Sequence, residues 1–210
     1  VETMEESVQR QSRYDRLGDM HYDTVSAFIK TIRASDPDAA LYYLARMIDA
    51  GEDPVFIARR LVISAAEDIG LANPNGLAVA MAAQQAVSFV GMPEGRIPLA
   101  EATIYLATAP KSNSAYKAID KALEFVRSSQ DEPVPNHLRN APTRLMKELG
   151  FGDGYEYPHD KSEHFSQAEN LPEVIKNERF YEPGDLGAES AIRERLLKWW
   201  GERYGDPKKS

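Results

Sequence analysis

Apolar residues recur every three to four positions along most of the chain, which is the spacing of amphipathic helices. This period returns in successive segments between residues 22 and 128, and proline or glycine marks the breaks between them. A cap-type residue precedes proline at Asp36, Asp53 and Asn73, a pairing typical of helix N-termini. The pattern therefore predicts a compact array of short antiparallel helices joined by tight turns.

Strand patterns are nearly absent, so the sequence predicts an all-α fold. The first helical period begins at Tyr22, and Tyr22, Val25, Phe28, Ile29 and Ile32 lie on one face of that helix. The next three helices are expected to begin at the prolines and to end at Gly51, near Gly70 and at Val90 and Gly91. The later helices are expected at about 97–108, 113–128, 142–149 and 187–203.

The composition of the chain changes after residue 128, where prolines interrupt the helical period. Residues 151–187 combine glycine and proline with aromatic residues, and disordered segments are usually poor in aromatics. We therefore expect an irregular, partly ordered arm that packs its rings on the helices or on a neighbouring subunit. The rings are those of Phe151, Tyr155, Tyr157, Phe165, Phe180 and Tyr181.

These differences in sequence pattern divide the chain into three predicted regions. Residues 1–20 are polar and are interpreted as a linker or the end of a preceding element, residues 21–203 as a helical domain, and residues 204–210 as a disordered tail.

The amino-acid composition excludes several kinds of functional site. The 210-residue chain lacks cysteine, which excludes disulfides, thiolate metal sites and cysteine nucleophiles and fits a reducing compartment. Its formal net charge is −8, and residues 151–190 hold 10 acidic and 3 basic residues. Such a chain is a poor candidate for direct duplex-DNA binding. No apolar run suits a membrane helix, so no membrane partner is expected.

No established catalytic or cofactor motif occurs in the sequence: it contains no phosphate-binding P-loop, dinucleotide fingerprint, nucleophile elbow or zinc-protease motif. Glu67 and Asp68 could perform acid–base chemistry if burial separated their pKa values. The alternative is that one of them bonds to an arginine, with Arg59 and Arg60 one to two turns earlier, or caps the next turn.

Two polar stretches offer further candidates. Ser112 and Asn113, preceded by Lys111, lie at the expected start of a helix and resemble a helix N-cap. The loop from residue 137 to 143 concentrates His137, Arg139 and Asn140 between prolines. It either pins the loop to the helices, through Arg139 and Asn140, or forms a small anion or partner site. No metal site is expected at the histidines.

Several ordered strings together resemble the C-terminal region of the RarA/MgsA family over about residues 14–200. These are replication-associated recombination proteins, AAA+ ATPases related to clamp-loader subunits and to the Werner-helicase-interacting protein. The strings are Ser35-Asp-Pro-Asp-Ala-Ala40, Ala45-Arg-Met47, Gly51-Glu-Asp-Pro54, Ala58-Arg-Arg-Leu-Val62, Glu67-Asp-Ile-Gly-Leu-Ala72, Ala109-Pro-Lys-Ser-Asn113, His137-Leu-Arg-Asn-Ala-Pro-Thr143 and Tyr157-Pro-His159.

The resemblance implies a helical domain that holds an ATPase as a homotetramer. It also implies that ATP and Mg²⁺ bind in an N-terminal module that this chain lacks. The full-length protein would be a DNA-dependent ATPase of replication, recombination and repair, cytoplasmic and associated with the nucleoid, that meets DNA and other replication or repair proteins. Two alternatives stay open: a free-standing helical enzyme using Glu67, Asp68 and His137, and a clamp-loader-like adaptor that binds another replication protein.

The adjacent tryptophans Trp199 and Trp200 also favour self-association. They point about 100° apart on a helix, so one face cannot easily bury both against a single core. We therefore expect one of them, or part of the arm, to pack on a second subunit, with D₂ symmetry for four chains.

Overall fold

The computed structural model of the chain describes residues 18–130 and 132–205. These residues form eight α-helices and several short turns, without a β-strand among them, so the all-α prediction is confirmed. The helices are α1 (Gly18–Arg33), α2 (Pro37–Asp49), α3 (Pro54–Ser64), α4 (Asn75–Val90), α5 (Arg96–Thr108), α6 (Ser114–Ser128), α7 (Arg144–Glu148) and α8 (Glu189–Tyr204).

The chain divides into two compact units. The first runs to Tyr116 and includes Gly184–Ser190, and the second comprises Lys117–Pro183 and the residues from Ala191 onward. Residues 1–17 of the predicted linker and residues 206–210 of the predicted tail lie outside the described residues.

The first unit contains a hydrophobic core shared by α1 to α5. Helix α1 packs on α2 and α5, and α4 packs on α3 and α5. The largest apolar side chains that are fully buried are Phe28, Ile32, Met47, Ile57, Leu61, Ile69, Leu99, Leu106 and Val87. Tyr22, the first residue of the apolar face of α1, is 74% exposed and packs edge-on against His21. Burial on this face begins one turn later, at Val25.

Local capping explains where α2 and α3 begin. A side-chain oxygen of Asp36 accepts a hydrogen bond from the backbone N–H of Ala39 at 2.9 Å. Asp53 Oδ1 likewise accepts from the N–H of Val55 at 2.9 Å, and a proline follows each cap. Each aspartate thus satisfies a helix N–H that has no partner within the helix.

The predicted third cap does not form. Helix α4 begins at Asn75 without a side-chain cap, one residue later than expected. The Asn73 amide instead donates to the hydroxyl of Tyr105 at 3.0 Å, and the Asn75 amide donates to the same oxygen at 3.1 Å. These side chains tie the start of α4 to α5 rather than capping it.

The second unit is built differently, because none of its described residues is buried. It contains α7, most of α6 and α8, and an arm with three short 3₁₀ turns, Pro158–Asp160, Ser162–His164 and Glu173–Ile175. The arm packs some rings on helices, as predicted: Phe180 meets Phe125 of α6 edge-on at 5.5 Å between ring centroids. Tyr155 and Tyr157 remain exposed.

The Asp53 cap gives a direct test of the α3 start. Replacing Asp53 with alanine should lower the free energy of unfolding by about 1 kcal/mol, whereas Asp53→Asn should cost only a few tenths because asparagine also caps. Urea denaturation at one fixed protein concentration measures both. Equal losses for the two variants would contradict a capping role.

Candidate functional site

The acidic pair singled out in the sequence lies on a widened helical turn. Helix α3 ends at Ser64, and Ala65–Ile69 continue as a π-helical turn rather than as the predicted α-helix to about residue 69. Such turns insert an extra residue into the helix and often occur at functional sites. Glu67 and Asp68 are both on this turn, and Asp68 is only 6% exposed.

Arg33, at the end of α1, pairs with both carboxylates. Its Nε donates to Asp68 Oδ1 at 2.5 Å, and its Nη2 donates to Glu67 Oε1 at 3.1 Å. The hydrogen bond with Asp68 raises the pKa of the Arg33 guanidinium, with burial opposing this effect. An arginine partner was expected, but Arg59 and Arg60 are not that partner. They lie seven to nine positions before the carboxylates, which is about 10–13 Å along a helix.

Asp68 also ties the turn to two other segments. Its Oδ2 accepts from the Ser64 hydroxyl at 3.1 Å, and its backbone carbonyl accepts from the N–H of Ser112 at 2.8 Å. The segments come so close that a Cβ on Gly70 would lie 2.6 Å from the Ser112 carbonyl oxygen, and Gly70 has a φ of +48°. Asp68 is therefore a junction between α1, α3 and the connection to α6.

Lys111 secures the same connection by capping the end of α5. Its ammonium lies 3.0 Å from the Ser35 hydroxyl and close to three backbone carbonyls. The carbonyls are those of Leu106, Ala107 and Ala109, at 3.0, 2.9 and 2.7 Å. Such a lysine satisfies carbonyls that the helix leaves unpaired. Burial lowers the pKa of Lys111, against the opposing effect of the Asp68 charge.

Ser112 and Asn113 complete the rim of this cluster. The Ser112 hydroxyl accepts from the N–H of Ser114, the first residue of α6, at 3.2 Å, while Asn113 is exposed. The cap expected near Asn113 is thus supplied by Ser112. The residues enclose a cleft of about 320 Å³, lined by Arg33, Glu67, Asp68, Lys111, Ser112, Asn113 and Tyr116.

The contacts of this cleft join several segments of the first unit. Both carboxylate oxygens of Asp68 accept hydrogen bonds, and the Lys111 ammonium is directed at four oxygens. His137, the third residue of the enzyme hypothesis, belongs to the second unit, where its Nε2 lies 3.2 Å from Asn170 Oδ1.

The remaining arginine and loop candidates make varied contacts. Arg59 is exposed, and Arg60 has a buried Nε without a hydrogen-bond partner among the described residues. The Arg139 guanidinium lies 4.0 Å from the centroid of the Phe151 ring, so it ties the loop to the turn after α7. Asn140 is exposed.

Both tryptophans of α8 find the same partner within the chain. The Phe165 ring is stacked on Trp199 at 5.2 Å and meets Trp200 edge-on at 5.3 Å. One ring of the arm thus covers two helix positions that point apart. The tryptophan pair therefore does not by itself require a second subunit.

Three residues of these contacts, Arg33, Ser64 and Glu189, were not among the sequence-predicted candidates. Glu189 is fully buried at the start of α8 and accepts a hydrogen bond from the Ser114 hydroxyl. Its position in the first turn of a helix, where acids are favoured, was the available signal. The partners of Arg33 lie 34 and 35 residues further along the chain, so no local pattern marks this residue.

The described residues contain no group of three or more histidine, aspartate or glutamate side chains placed to hold a metal ion. Within the same part of the chain, no helix has the length and apolar character needed to cross a membrane.

Most of this chain is similar in sequence to known proteins. Residues 34–200 match the family model described as MgsA AAA+ ATPase C terminal. Replication-associated recombination protein A of Haemophilus influenzae is 47% identical over 189 residues, 90% of this chain and 42% of that protein. The protein of that name from Bacillus subtilis is 47% identical over 203 residues, 94% of this chain and 48% of that protein. An uncharacterized Thermotoga maritima protein is 51% identical over 185 residues, 88% of this chain and 30% of that protein. The chain thus spans less than half of these relatives.

Substitution of Arg33 tests its pairing with Asp68, and substitution of Arg59 provides the comparison. Arg33→Met should lower the free energy of unfolding by about 2 kcal/mol, below the roughly 3–5 kcal/mol for a fully buried pair because Arg33 is half exposed. Arg59→Met, the matched control, should change it by less than about 0.5 kcal/mol. Urea denaturation measures both. A loss confined to Arg59→Met, or none for either, would contradict the assignment.

Proposed function

The chain belongs to the family of MgsA AAA+ ATPase C-terminal domains, and we propose that it is the homotetramerisation module of such an ATPase. The ATPase would act in DNA replication and recombination, as the names of the Haemophilus influenzae and Bacillus subtilis relatives suggest. We place this action at stalled forks. In this proposal ATP, Mg²⁺ and DNA are handled by the rest of the full-length protein, which is a DNA-dependent ATPase. The chain itself turns over no substrate.

The observation that carries the proposal is the absence of buried residues in the described part of the second unit. Fixing a residue in place costs about 1–2 kcal/mol of backbone entropy, and burial of apolar surface is the main term that offsets it. The unit carries many large hydrophobic side chains at the surface of the single chain: Ile119, Leu123, Val126, Val134, Leu138, Leu145, Leu149, Tyr155, Tyr157, Val174 and Leu197. An additional surface is needed to cover them.

A further copy of the chain supplies that surface most simply. Helix α6 places Ile119, Leu123 and Val126 at spacings of four and three residues on one exposed face, the seam of a helix–helix contact. The helix carries three basic and two acidic side chains, so it is nearly neutral within a chain of net charge −8. Two such helices can meet with little repulsion.

The mass of the purified chain in solution tests this proposal. Light scattering should give about 94 kDa, four times the 23.5 kDa of one chain. Micromolar affinity is sufficient to populate the assembly at about 100 μM. A mass of one subunit at that concentration would overturn the proposal and favour an adaptor that binds another protein.

A further inference from the structure

Helix α4 differs from the other long helices because it carries no charge. The sequence from Asn73 to Pro93 contains no aspartate, glutamate, lysine or arginine. One face of α4 is buried in the first unit, through Gly76, Ala80, Ala83 and Val87. A surface helix normally turns charged or polar residues outward on the opposite face.

The outer face of α4 is instead exposed and uncharged, and most of its side chains are apolar. Leu77 and Met81 are 43% and 40% exposed, and Phe89, near the end of the helix, is 92% exposed. Between them the small side chains of Ala78 and Ala82 are also exposed. Gln85 is exposed on the same face between Ala82 and Phe89, so this surface is uncharged rather than wholly apolar. Exposed, largely apolar surface of this kind is typical of interaction sites. These five residues, Leu77, Ala78, Met81, Ala82 and Phe89, are called the α4 face below.

We propose that the α4 face packs against the same face of a second copy of the chain, around a two-fold axis. This inference rests on the proposed tetramer and identifies one of its contacts. A contact between identical patches must be self-complementary. A charged patch would set like charges against each other, whereas the α4 face meets itself without that cost in a chain of net charge −8. Ala78 and Ala82 let the two backbones approach closely.

The symmetry of the proposed tetramer determines which assembly remains when this contact is lost. A D₂ tetramer is built from at least two different two-fold contacts, each joining a pair of subunits. When one of them is removed, the other still holds a dimer. Disruption of the α4 face alone should therefore halve the mass rather than produce single subunits.

Cross-linking tests the two-fold contact, and the absence of cysteine in the chain makes single-cysteine variants unambiguous. Ala82 lies near the middle of the α4 face, so its two copies should lie close to the axis. Ala82→Cys should give covalent dimers with a short bismaleimide. Ala45→Cys, at an exposed alanine of α2, is the matched control and should stay uncross-linked.

A charge variant provides the second measurement. Ala82→Glu should reduce the mass by light scattering from four subunits to two, whereas Ala45→Glu should leave four, with circular dichroism showing equal helicity. If the wild type is a tetramer, but Ala82→Cys forms no covalent dimer and Ala82→Glu stays a tetramer, the inference is overturned and the proposed function stands. Coverage of the α4 face by a different protein predicts that outcome. A wild type of one subunit overturns both.

Discussion

Hydrophobic burial in the described chain is confined to one place: the fully buried apolar side chains all belong to α1 to α5 and the turns beside them. Since apolar burial is the main free energy that opposes chain entropy, the first unit has the means to fold by itself. The second unit has aromatic contacts, such as Phe165 with the two tryptophans, but no buried residue among those described. This difference in burial between the two units is the physical basis for proposing that the chain works as an assembly.

Within the first unit, Asp68 holds several packed segments together through hydrogen bonds. It lies on the π-helical turn after α3, pairs with Arg33 at the end of α1, and holds the backbone of Ser112 ahead of α6. Lys111 binds the carbonyls at the end of α5 beside it. Polar groups that resembled catalytic candidates in the sequence are thus satisfied by one another, as buried polar groups must be. That satisfaction makes the cleft a structural joint.

Local features were predictable from the sequence, and long-range ones were not. The caps at Asp36 and Asp53 involve residues two or three positions apart, so an aspartate before proline was sufficient to locate them. The partner of Asp68 is 35 residues away, and its identity depends on how α1 packs on the other helices. The π-helical turn and the Asn73 contact with Tyr105 likewise depend on tertiary packing that overrides local helix signals. The helical period predicted the all-α fold, whereas the family was indicated by the eight strings and not by residue-level chemistry.

Hydrogen exchange across the association equilibrium tests the central claim most directly, because it reports the two units separately. The account predicts that backbone amides of residues 117–183 gain protection as the protein concentration rises through the association midpoint. Amides in the core of α1 to α5, around Phe28, Leu61 and Leu99, should be protected on both sides of that midpoint. Equal protection of the second unit on both sides would contradict the dependence of this unit on a neighbouring subunit.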